Sequence, residues 1–428
     1  MKHIIIFFTV ILTSFFFFPI EFVFAPGVNT KMVIAVLGIL FFFLNSIGKQ
    51  KIVMFKEIFI ATIIACIFSF IVLYAVIYNN TEDYTYATYI VSMWVWLGGA
   101  YAVCQVINRV HGFISAKLVI NYLIAVCALQ CLSALLIDNI PFVKLLVDNY
   151  TSGTVADTEF LSKGGRLYGI GAALDVAGTR FSAVLVMIAV LLCTDNEIQS
   201  NRKHIAMYVF LFVWIAVVGS IMTRTTNVGI IIAVIYLVYA TGILRMQIQK
   251  MNLKLWGVFI GVTFLLVLLC LYLYNHVPSA HNLLRFGFEG FINWLETGKW
   301  RTHSTDILQN MWVFPESWKT WIIGDGYFEN PLNSAYKGGG YYMGTDVGYL
   351  RFIFYCGLTG LSAFTVFFVY LSVACYRKFP QERELFLLLL VLMFMIWAKV
   401  STDIFLVYAL FLCVPNAQKQ FNNQMKMQ

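Results

Sequence analysis

Long apolar runs recur along most of the chain, and they constrain its fold more than any other feature. Runs long enough to cross a bilayer occur at about 4–24, 32–47, 57–78, 87–108, 116–137, 174–193, 205–222, 226–244, 255–274 and 347–374. The chain is 61% hydrophobic and only 12% charged, whereas soluble domains are about 45–50% apolar and about 25% charged. The runs lack the alternating pattern of barrel strands, so helices are expected. The sequence therefore predicts an all-α, polytopic integral membrane protein.

The last apolar region, 385–414, leaves the number of spans open between about 11 and 12. It is long for one span and short for two, and Lys399 and Asp403 interrupt its middle. Lys and Arg residues fall mainly in alternate connections, which marks that side as cytoplasmic. A tail carrying Lys419 and Lys426 fits the same side. This favours two short helices, with Lys399 and Asp403 near their outer tip.

The first run has some features of a secretory signal peptide. Lys2 precedes it, and residues 23–25 weakly resemble a cleavage site. However, the run 4–24 is long for the apolar core of such a peptide, and Pro26 would follow the cut. We expect a retained first helix.

Charge and cysteine content exclude several other classes of protein. The net charge is +8, but no basic cluster with interleaved aromatics is present, so nucleic-acid binding is not expected. Most of the nine cysteines lie inside apolar runs without a CxxC pair, and the six histidines show no metal-ligand spacing. The sequence predicts no metal and no cofactor.

Two connections on the outward side are large, and all others are short. They cover 138–173 and 275–346 within a single polytopic domain, 1–428. Each contains a segment that mixes Phe, Trp and Leu with charges, at 140–150 and 283–296. Such segments are expected to lie along the membrane surface.

Two similar segments, DVAGTRF at 175–181 and DVGYLRF at 346–352, stand where these large connections enter apolar runs. Each sets an Asp and an Arg five residues apart, which on a helix is about 7.5 Å of rise and about 140° of rotation. Neither pair is therefore expected to be a simple ion pair on a helix surface. Capping by the acids and snorkelling by the arginines are alternatives, but charges at this depth usually face a protein interior or a water-filled cavity. We interpret the four residues as lining a shared cavity: Asp175, Arg180, Asp346 and Arg351.

Further cations on the outward side go against the positive-inside tendency. They include Arg166, Arg224, Arg285 and Arg301. For Arg285, which lies next to Phe286, snorkelling to the headgroups is an equal alternative. Guanidinium groups are planar, always charged and bidentate, which suits a phosphate or pyrophosphate. A carboxylate among them could act as a base on a hydroxyl, and a lipid pyrophosphate satisfies both demands.

Glycine-rich stretches occur in both large connections. GGRLYGIG at 164–171 and GDGYFENP at 324–331 permit tight turns or a close approach of backbone to a ligand. They lack a Walker lysine, so nucleotide binding is excluded. Tyr327 and its aromatic neighbours could stack on sugar rings, or they could anchor the chain at the interface.

With this architecture, the motifs resemble those of the O-antigen and capsular polysaccharide polymerases (Wzy-type), in the superfamily that includes the O-antigen ligases. RLYGIGAALDVAG at 166–178 is similar to the family's Arg-x-x-Gly segment before a helix, and MTRTTN at 222–227 to its Ser-Arg-Gly-type corner. GDGYFENP followed by TDVGYLRFIFYCGLTGL at 345–361 is similar to its closing motifs. The family has two large periplasmic loops, the third and fifth outward ones, and the two large connections here hold those places.

The resemblance implies metal-independent glycosyl transfer at the periplasmic face of the bacterial cytoplasmic (inner) membrane. A growing glycan on undecaprenyl pyrophosphate would move onto the hydroxyl of a new lipid-linked repeat unit. Arg166, Arg224 and Arg301 correspond to the arginines that balance the charge of the leaving pyrophosphate. Asp346 corresponds to the group that orients or deprotonates the acceptor, with Asp175 as the second candidate. The remaining candidates for substrate contact are Arg180, Arg351, Arg285, Tyr349 and Tyr327.

The implied partners are undecaprenyl-pyrophosphate-linked oligosaccharides and membrane lipids, with a chain-length regulator and a flippase as further candidates. Asp346 stands where ligases usually carry His, which favours a polymerase. An Arg with Gly eleven positions later, found in some polymerases, is absent, because Arg166 is followed by Ala177 and Arg301 by Trp312 at that distance.

Two alternatives remain open. A ligase would transfer the glycan to lipid A core. A lipid-linked oligosaccharide flippase or another transporter would typically show broken midplane helices and internal repeats, whereas the charges here gather at one face.

Overall fold

A computed structural model describes residues 2–49, 55–152, 166–243, 250–331 and 340–415, which are almost entirely helical. The helices are α1 Lys2–Phe17, α2 Thr30–Lys49, α3 Lys56–Tyr78, α4 Tyr89–His111, α5 Ala116–Asn139, α6 Pro141–Tyr150, α7 Leu174–Thr194, α8 Asn196–Ser200, α9 Arg202–Met222, α10 Thr226–Ala240, α11 Lys250–His276, α12 Pro278–Gly287, α13 Glu289–Thr297, α14 His303–Asn310, α15 Trp318–Ile322, α16 Gly348–Lys378, α17 Arg383–Trp397 and α18 Phe405–Cys413. Two short strands, β1 Glu21–Phe22 and β2 Thr151–Ser152, pair antiparallel with Glu21 opposite Ser152.

Eight of the described helices are long and apolar enough to cross a membrane. They are α2, α3, α4, α5, α7, α9, α11 and α16, while α1 and α10 are apolar but shorter. The chain is thus an all-helical, multi-pass membrane protein. Large apolar side chains on the rim of the bundle remain exposed, for example Phe70 and Leu265, as expected for a surface that contacts lipid.

The end of the first helix differs from the sequence prediction, whereas the division of the last apolar region agrees with it. The first helix ends at Phe17 rather than near Phe24, because Pro19 cannot continue the hydrogen-bond ladder and disfavours helical backbone at Phe18. The interpretation of 385–414 as two short helices is confirmed, since α17 and α18 are separated by residues 398–404. We call these residues the α17–α18 connection.

Helix α7 forms the centre of the bundle. Its candidate span is 89% buried, whereas that of α11 is only 11% buried and lies at the edge. A glycine on α10 makes the close packing against α7 possible, since a Cβ on Gly229 would lie 2.3 Å from Ser182. The side chain of Ser182 in turn donates to the carbonyl of Thr225 at 3.0 Å. This central position explains why α7 carries charged residues into the interior.

The connections that the sequence assigns to the outward side meet at one end of the bundle, here called the loop-bearing end. The β1–β2 pair joins the segment after α1 to the segment after α6. Asp83, between α3 and α4, accepts from the backbone N–H of Phe328 at 2.7 Å. At the opposite end, Lys117 forms an ion pair with Asp195 at 2.9 Å. The contacts therefore group the connections as the charge pattern does.

Helix α16 is broken after its second turn. Gly357 has φ 67° and ψ −178°, a conformation essentially restricted to glycine, and a Cβ there would lie 2.1 Å from the carbonyl oxygen of Ile322. The carbonyls freed by the break accept from residues of the GDGYFENP stretch: Asp325 N–H donates to Phe354 O at 2.6 Å and Gly326 N–H to Tyr355 O at 3.1 Å. Backbone of the large connection thus fills the break, which accounts for it without a transported ligand.

Candidate active site at the loop-bearing end

Asp175 lies in the first turn of α7 and is paired with a lysine distant in sequence. Lys399 Nζ donates to Asp175 Oδ1 at 2.6 Å and to Thr225 Oγ1 at 2.6 Å, and the Thr225 hydroxyl also donates to Asp175. The side chains of Asp175 and Lys399 are 30% and 29% exposed. The carboxylate is therefore neutralised by a cation from the α17–α18 connection rather than acting only as a helix cap.

Asp346 is paired with the arginine of its own segment, although not as an ion pair on the surface of a helix. Arg351 Nη1 lies 3.6 Å from Asp346 Oδ1. The physical reason is that α16 begins at Gly348. Asp346 precedes the helix, and the rotation expected within a helix does not apply to it.

Arg351 is buried, at 8% exposure, and also binds two other parts of the chain. Its Nη1 donates to Ser401 Oγ at 3.2 Å and its Nη2 to the carbonyl of Phe328 at 3.1 Å. The guanidinium stacks on the Phe328 ring, 3.6 Å from its centroid. Arg351 is therefore held rigidly and fixes one side of the Asp346 carboxylate.

The environment of Asp346 favours its neutral form. Burial raises the pKa of Asp346 to about 6, and the negative charge of Asp175 adds to this, while Arg351, Tyr341 and Lys399 act in the opposite direction. Its side chain is 19% exposed. Asp346 is thus a reachable carboxylate whose pKa is suited to accepting a proton near neutral pH.

Arg166 and Arg224 meet on one aromatic ring, and we call these three residues the Phe286 cluster. Their guanidinium carbons lie 4.9 and 4.3 Å from the centroid of the Phe286 ring. Arg224 Nη2 lies 2.5 Å from Glu289 Oε2, and its Nε donates to the carbonyl of Phe286 at 3.1 Å. Burial lowers the pKa of Arg166, and the charge of Asp175 acts against this. The cluster thus places Arg166 where the charge of Asp175 acts on it, beside Arg224, which forms an ion pair with Glu289.

Arg180 lies away from Asp175, on another side of α7. It is 7% exposed and is surrounded by the rings of Phe17, Phe18 and Trp96, with centroids 5.4–5.9 Å from its guanidinium carbon. The nearest opposite charge is that of Asp403. The structure therefore does not bring Arg180 into the group formed by Asp175, Asp346 and Arg351.

The α17–α18 connection joins these parts of the site. Besides Lys399 and Ser401, it supplies Thr402, whose hydroxyl lies 3.0 Å from that of Thr179, and Asp403, which faces Arg180. The connection thus contacts both DVAGTRF and DVGYLRF. It brings together two segments that are far apart in the chain.

The four remaining candidate site residues from the sequence make their contacts with residues other than Asp175 and Asp346. Arg301 is 72% exposed and pairs with Asp306 at 2.8 Å. Arg285 is 44% exposed, and its two Nη atoms donate to the Glu296 carboxylate. The other two candidates are tyrosines. The Tyr349 hydroxyl donates to the carbonyl of Phe394 at 2.8 Å, and the ring centroids of Tyr327 and Tyr342 lie 5.4 Å apart.

Several functional candidates were missed by sequence reasoning. Lys399 and Asp403 were noticed only as interruptions of an apolar run, although charges at membrane depth are themselves a signal of a site. Ser401, Thr225 and Phe286 carry no such signal, because a hydroxyl or an aromatic ring is ordinary in these positions. Only the fold shows what they contact.

The arrangement can combine phosphate binding with proton transfer. The Phe286 cluster offers guanidinium donors, and Asp346 offers a carboxylate with a raised pKa, at the same end of the bundle. Among the described residues, no three His, Cys, Asp or Glu side chains are placed to hold a metal ion.

The fold and site define a class: a polytopic helical membrane protein with a charged site at its loop-bearing end. Comparison with known protein families, with curated proteins and with solved structures gives no match. Function is therefore inferred from the site and from the resemblance of the sequence motifs.

Proposed function

We propose that this protein is a polysaccharide polymerase that transfers a growing, undecaprenyl-pyrophosphate-linked glycan onto a new lipid-linked repeat unit. The proposal places it in the bacterial inner membrane with the loop-bearing end facing the periplasm. The observation that carries it is that Asp346, with its raised pKa, and the arginines of the Phe286 cluster lie at one end of a membrane bundle, where the charge of Asp175 acts on both Asp346 and Arg166. A lipid-linked sugar pyrophosphate needs such a pairing of base and cations.

The proposed step is a single displacement. The acceptor hydroxyl oxygen attacks the anomeric carbon of the donor glycan, and Asp346 takes the hydroxyl proton. The bond from that carbon to the pyrophosphate oxygen breaks, and undecaprenyl pyrophosphate leaves with the electron pair. Arg166 and Arg224 bind the charge that develops on the leaving group, since buried guanidinium donors stabilise an anion more strongly than water-exposed ones do.

Arg351 and Lys399 have supporting roles in this proposal. Arg351 is fixed by Ser401 and Phe328, so it holds the Asp346 carboxylate in one orientation. Lys399 keeps Asp175 neutralised, which limits the repulsion between the two acids. Arg301, the third arginine that the resemblance assigns to the pyrophosphate, has no role in the proposed step, because it is exposed and paired with Asp306.

The test is a reconstituted reaction. Purified protein in lipid nanodiscs is given a synthetic undecaprenyl-pyrophosphate repeat unit, and the product ladder is resolved by gel electrophoresis. We expect polymer from the wild-type protein and from Lys144→Gln, which removes an exposed cation at the same end. We expect little polymer from Arg166→Lys, because an ammonium cannot reproduce bidentate binding.

The same experiment separates the alternatives. Polymer that appears only when a lipid A core acceptor is added would indicate a ligase. Movement of the repeat unit across the bilayer of a vesicle without any new glycosidic bond would indicate a flippase. Candidate partners, a chain-length regulator and a flippase, are tested by their effect on ladder length once activity is established.

A further inference from the structure

The proposed reaction joins two substrates that carry the same polyprenyl pyrophosphate headgroup. The Phe286 cluster provides a place for one headgroup, that of the donor whose bond breaks. The inference below rests on the proposed function, and it concerns where the second headgroup, that of the acceptor, is bound.

Arg180 is a buried cation that the proposed step leaves unused. It is 7% exposed, and it makes no hydrogen bond or close ion pair with any residue in the part of the chain that the structure describes. Its contacts are three aromatic faces at 5.4–5.9 Å. Contacts with aromatic faces offset only part of the free-energy cost of removing a guanidinium group from water. A buried arginine with free donors is a candidate ligand for an anion.

A second cation lies beside it. Lys31 Nζ is 4.6 Å from the centroid of the Trp96 ring, and Arg180 is 5.8 Å from the same ring. The charges of both cations act on Asp403. We call Lys31, Trp96, Arg180 and Asp403 the Arg180 cluster. It contains two cations and one acid, so it has a net positive charge when all three are ionised.

The Arg180 cluster is partly exposed at its edge. Lys31, Trp96 and Asp403 are each partly exposed, although Arg180 itself is buried. Lys31 lies at the start of α2, a helix with one exposed face that includes Val36 and Leu40. A ligand with a long apolar chain could therefore reach the cluster from the lipid side of α2.

The two clusters lie on different sides of the α17–α18 connection. Lys399 of this connection faces Asp175, near the Phe286 cluster, while Asp403 faces Arg180. Phe286 belongs to α12, which packs against α9 and α11, whereas Lys31 belongs to α2, which packs against α4. Two lipid chains could thus approach from separate flanks without competing for one groove.

We propose that Arg180 and Lys31 form a second pyrophosphate site, which holds the headgroup of the acceptor substrate while the Phe286 cluster holds that of the donor. Arg180 supplies bidentate donors and Lys31 a second positive charge. The α17–α18 connection between them places the acceptor glycan toward Asp346.

Native mass spectrometry of the protein in nanodiscs with undecaprenyl pyrophosphate tests this directly. We expect the wild-type protein and Lys144→Gln each to bind two molecules of undecaprenyl pyrophosphate per protein chain. Arg180→Gln should bind one. Lys31→Met provides a second variant, because it changes a partly exposed residue at a helix start and does not open a cavity in the core. Arg180→Lys should recover part of the second equivalent, and thermal unfolding confirms that each variant is folded.

A kinetic measurement distinguishes the second site from a merely structural role. With a preformed polymer as donor and a tagged repeat unit as acceptor, Arg180→Gln should raise the acceptor KM about tenfold or more and leave the donor KM unchanged. A folded Arg180→Gln protein that still binds two equivalents would falsify the second site, as would a wild-type protein that binds one. Polymer formation in either case leaves the proposed function standing, whereas no binding and no polymer overturns both.

Discussion

The segments DVAGTRF and DVGYLRF share their Asp and Arg at the same spacing, yet the fold uses them differently. In the first, Asp175 belongs to the first turn of α7 and pairs with Lys399, while Arg180 points to a separate cluster. In the second, Asp346 precedes α16 and pairs with Arg351 of its own segment. The difference arises from where each helix begins, at Leu174 in one case and Gly348 in the other.

Near a helix start, the spacing of two residues does not fix whether their side chains meet. Two residues five apart on one helix lie on different faces. The same two residues can meet if the first stands before the helix. As a result, one segment distributes its charges over two clusters, and the other forms a single rigid pair.

The largest difference in the rate of polymer formation is expected between substitutions of Asp346 and of Asp175. Asp346→Asn should lower the rate of polymer formation by about 10²–10⁴-fold, because it removes the proposed base. Asp175→Asn should lower it only about tenfold, since loss of the Asp175 charge lowers the pKa of Asp346 and makes it a weaker base. Initial rates with purified protein measure both. Equal losses in the two variants would show that the two acids do not differ in role.

The pH dependence gives the next largest effect. Asp346 must be ionised to accept a proton, and with a pKa of about 6 its ionised fraction falls about tenfold between pH 7 and pH 5. The rate should therefore fall about tenfold over that interval, with unchanged protein stability as the control. A rate that stays constant down to pH 4.5 would exclude Asp346 as the base.

Lys399→Met tests the ion pair between Lys399 and Asp175, the acid of DVAGTRF. It leaves Asp175 without its closest cation, and we expect a loss of about 1–2 kcal/mol in the free energy of unfolding, because the pair is partly exposed to solvent. The double variant Asp175→Asn with Lys399→Met should recover most of this loss. Removal of the lysine should also move the acidic limb of the rate profile to higher pH, since Lys399 lowers the pKa of Asp346. A double variant no more stable than the single one would contradict the pairing.

The smallest effect is expected at Arg301. Its guanidinium is 72% exposed and pairs with Asp306, so Arg301→Gln should change the rate less than about twofold. The matched change Arg224→Gln should be much more severe, because Arg224 is largely buried against Phe286 and Glu289. A loss at Arg301 as large as that at Arg224 would restore the role that the family resemblance gives it.

Much of the fold could be predicted from sequence because the determining signals are local. The apolar runs mark the helices, and Lys399 and Asp403 correctly mark the break between α17 and α18. The error at the first helix was local too, since Pro19 explains why α1 stops at Phe17.

The site was predictable only in part. Arg166, Arg224 and Asp346 do lie at the loop-bearing end, and the charges of Asp175 and Asp346 act on each other as a shared site requires. Arg180, however, faces a separate aromatic cluster, and Arg301 is exposed and paired with Asp306. The contact of Lys399 with Asp175 spans 224 positions, and nothing in either local sequence specifies it.

Hydropathy and charge act residue by residue, so they can be read without the fold. They show that the chain is a multi-pass helical protein, where most of its helices run, and which charges stand against the positive-inside tendency. Which of those charges meet depends on the packing of the helices. An ion pair depends on distances of a few ångströms, and these are set by where α7 and α16 begin and by the α17–α18 connection that inserts between the two segments.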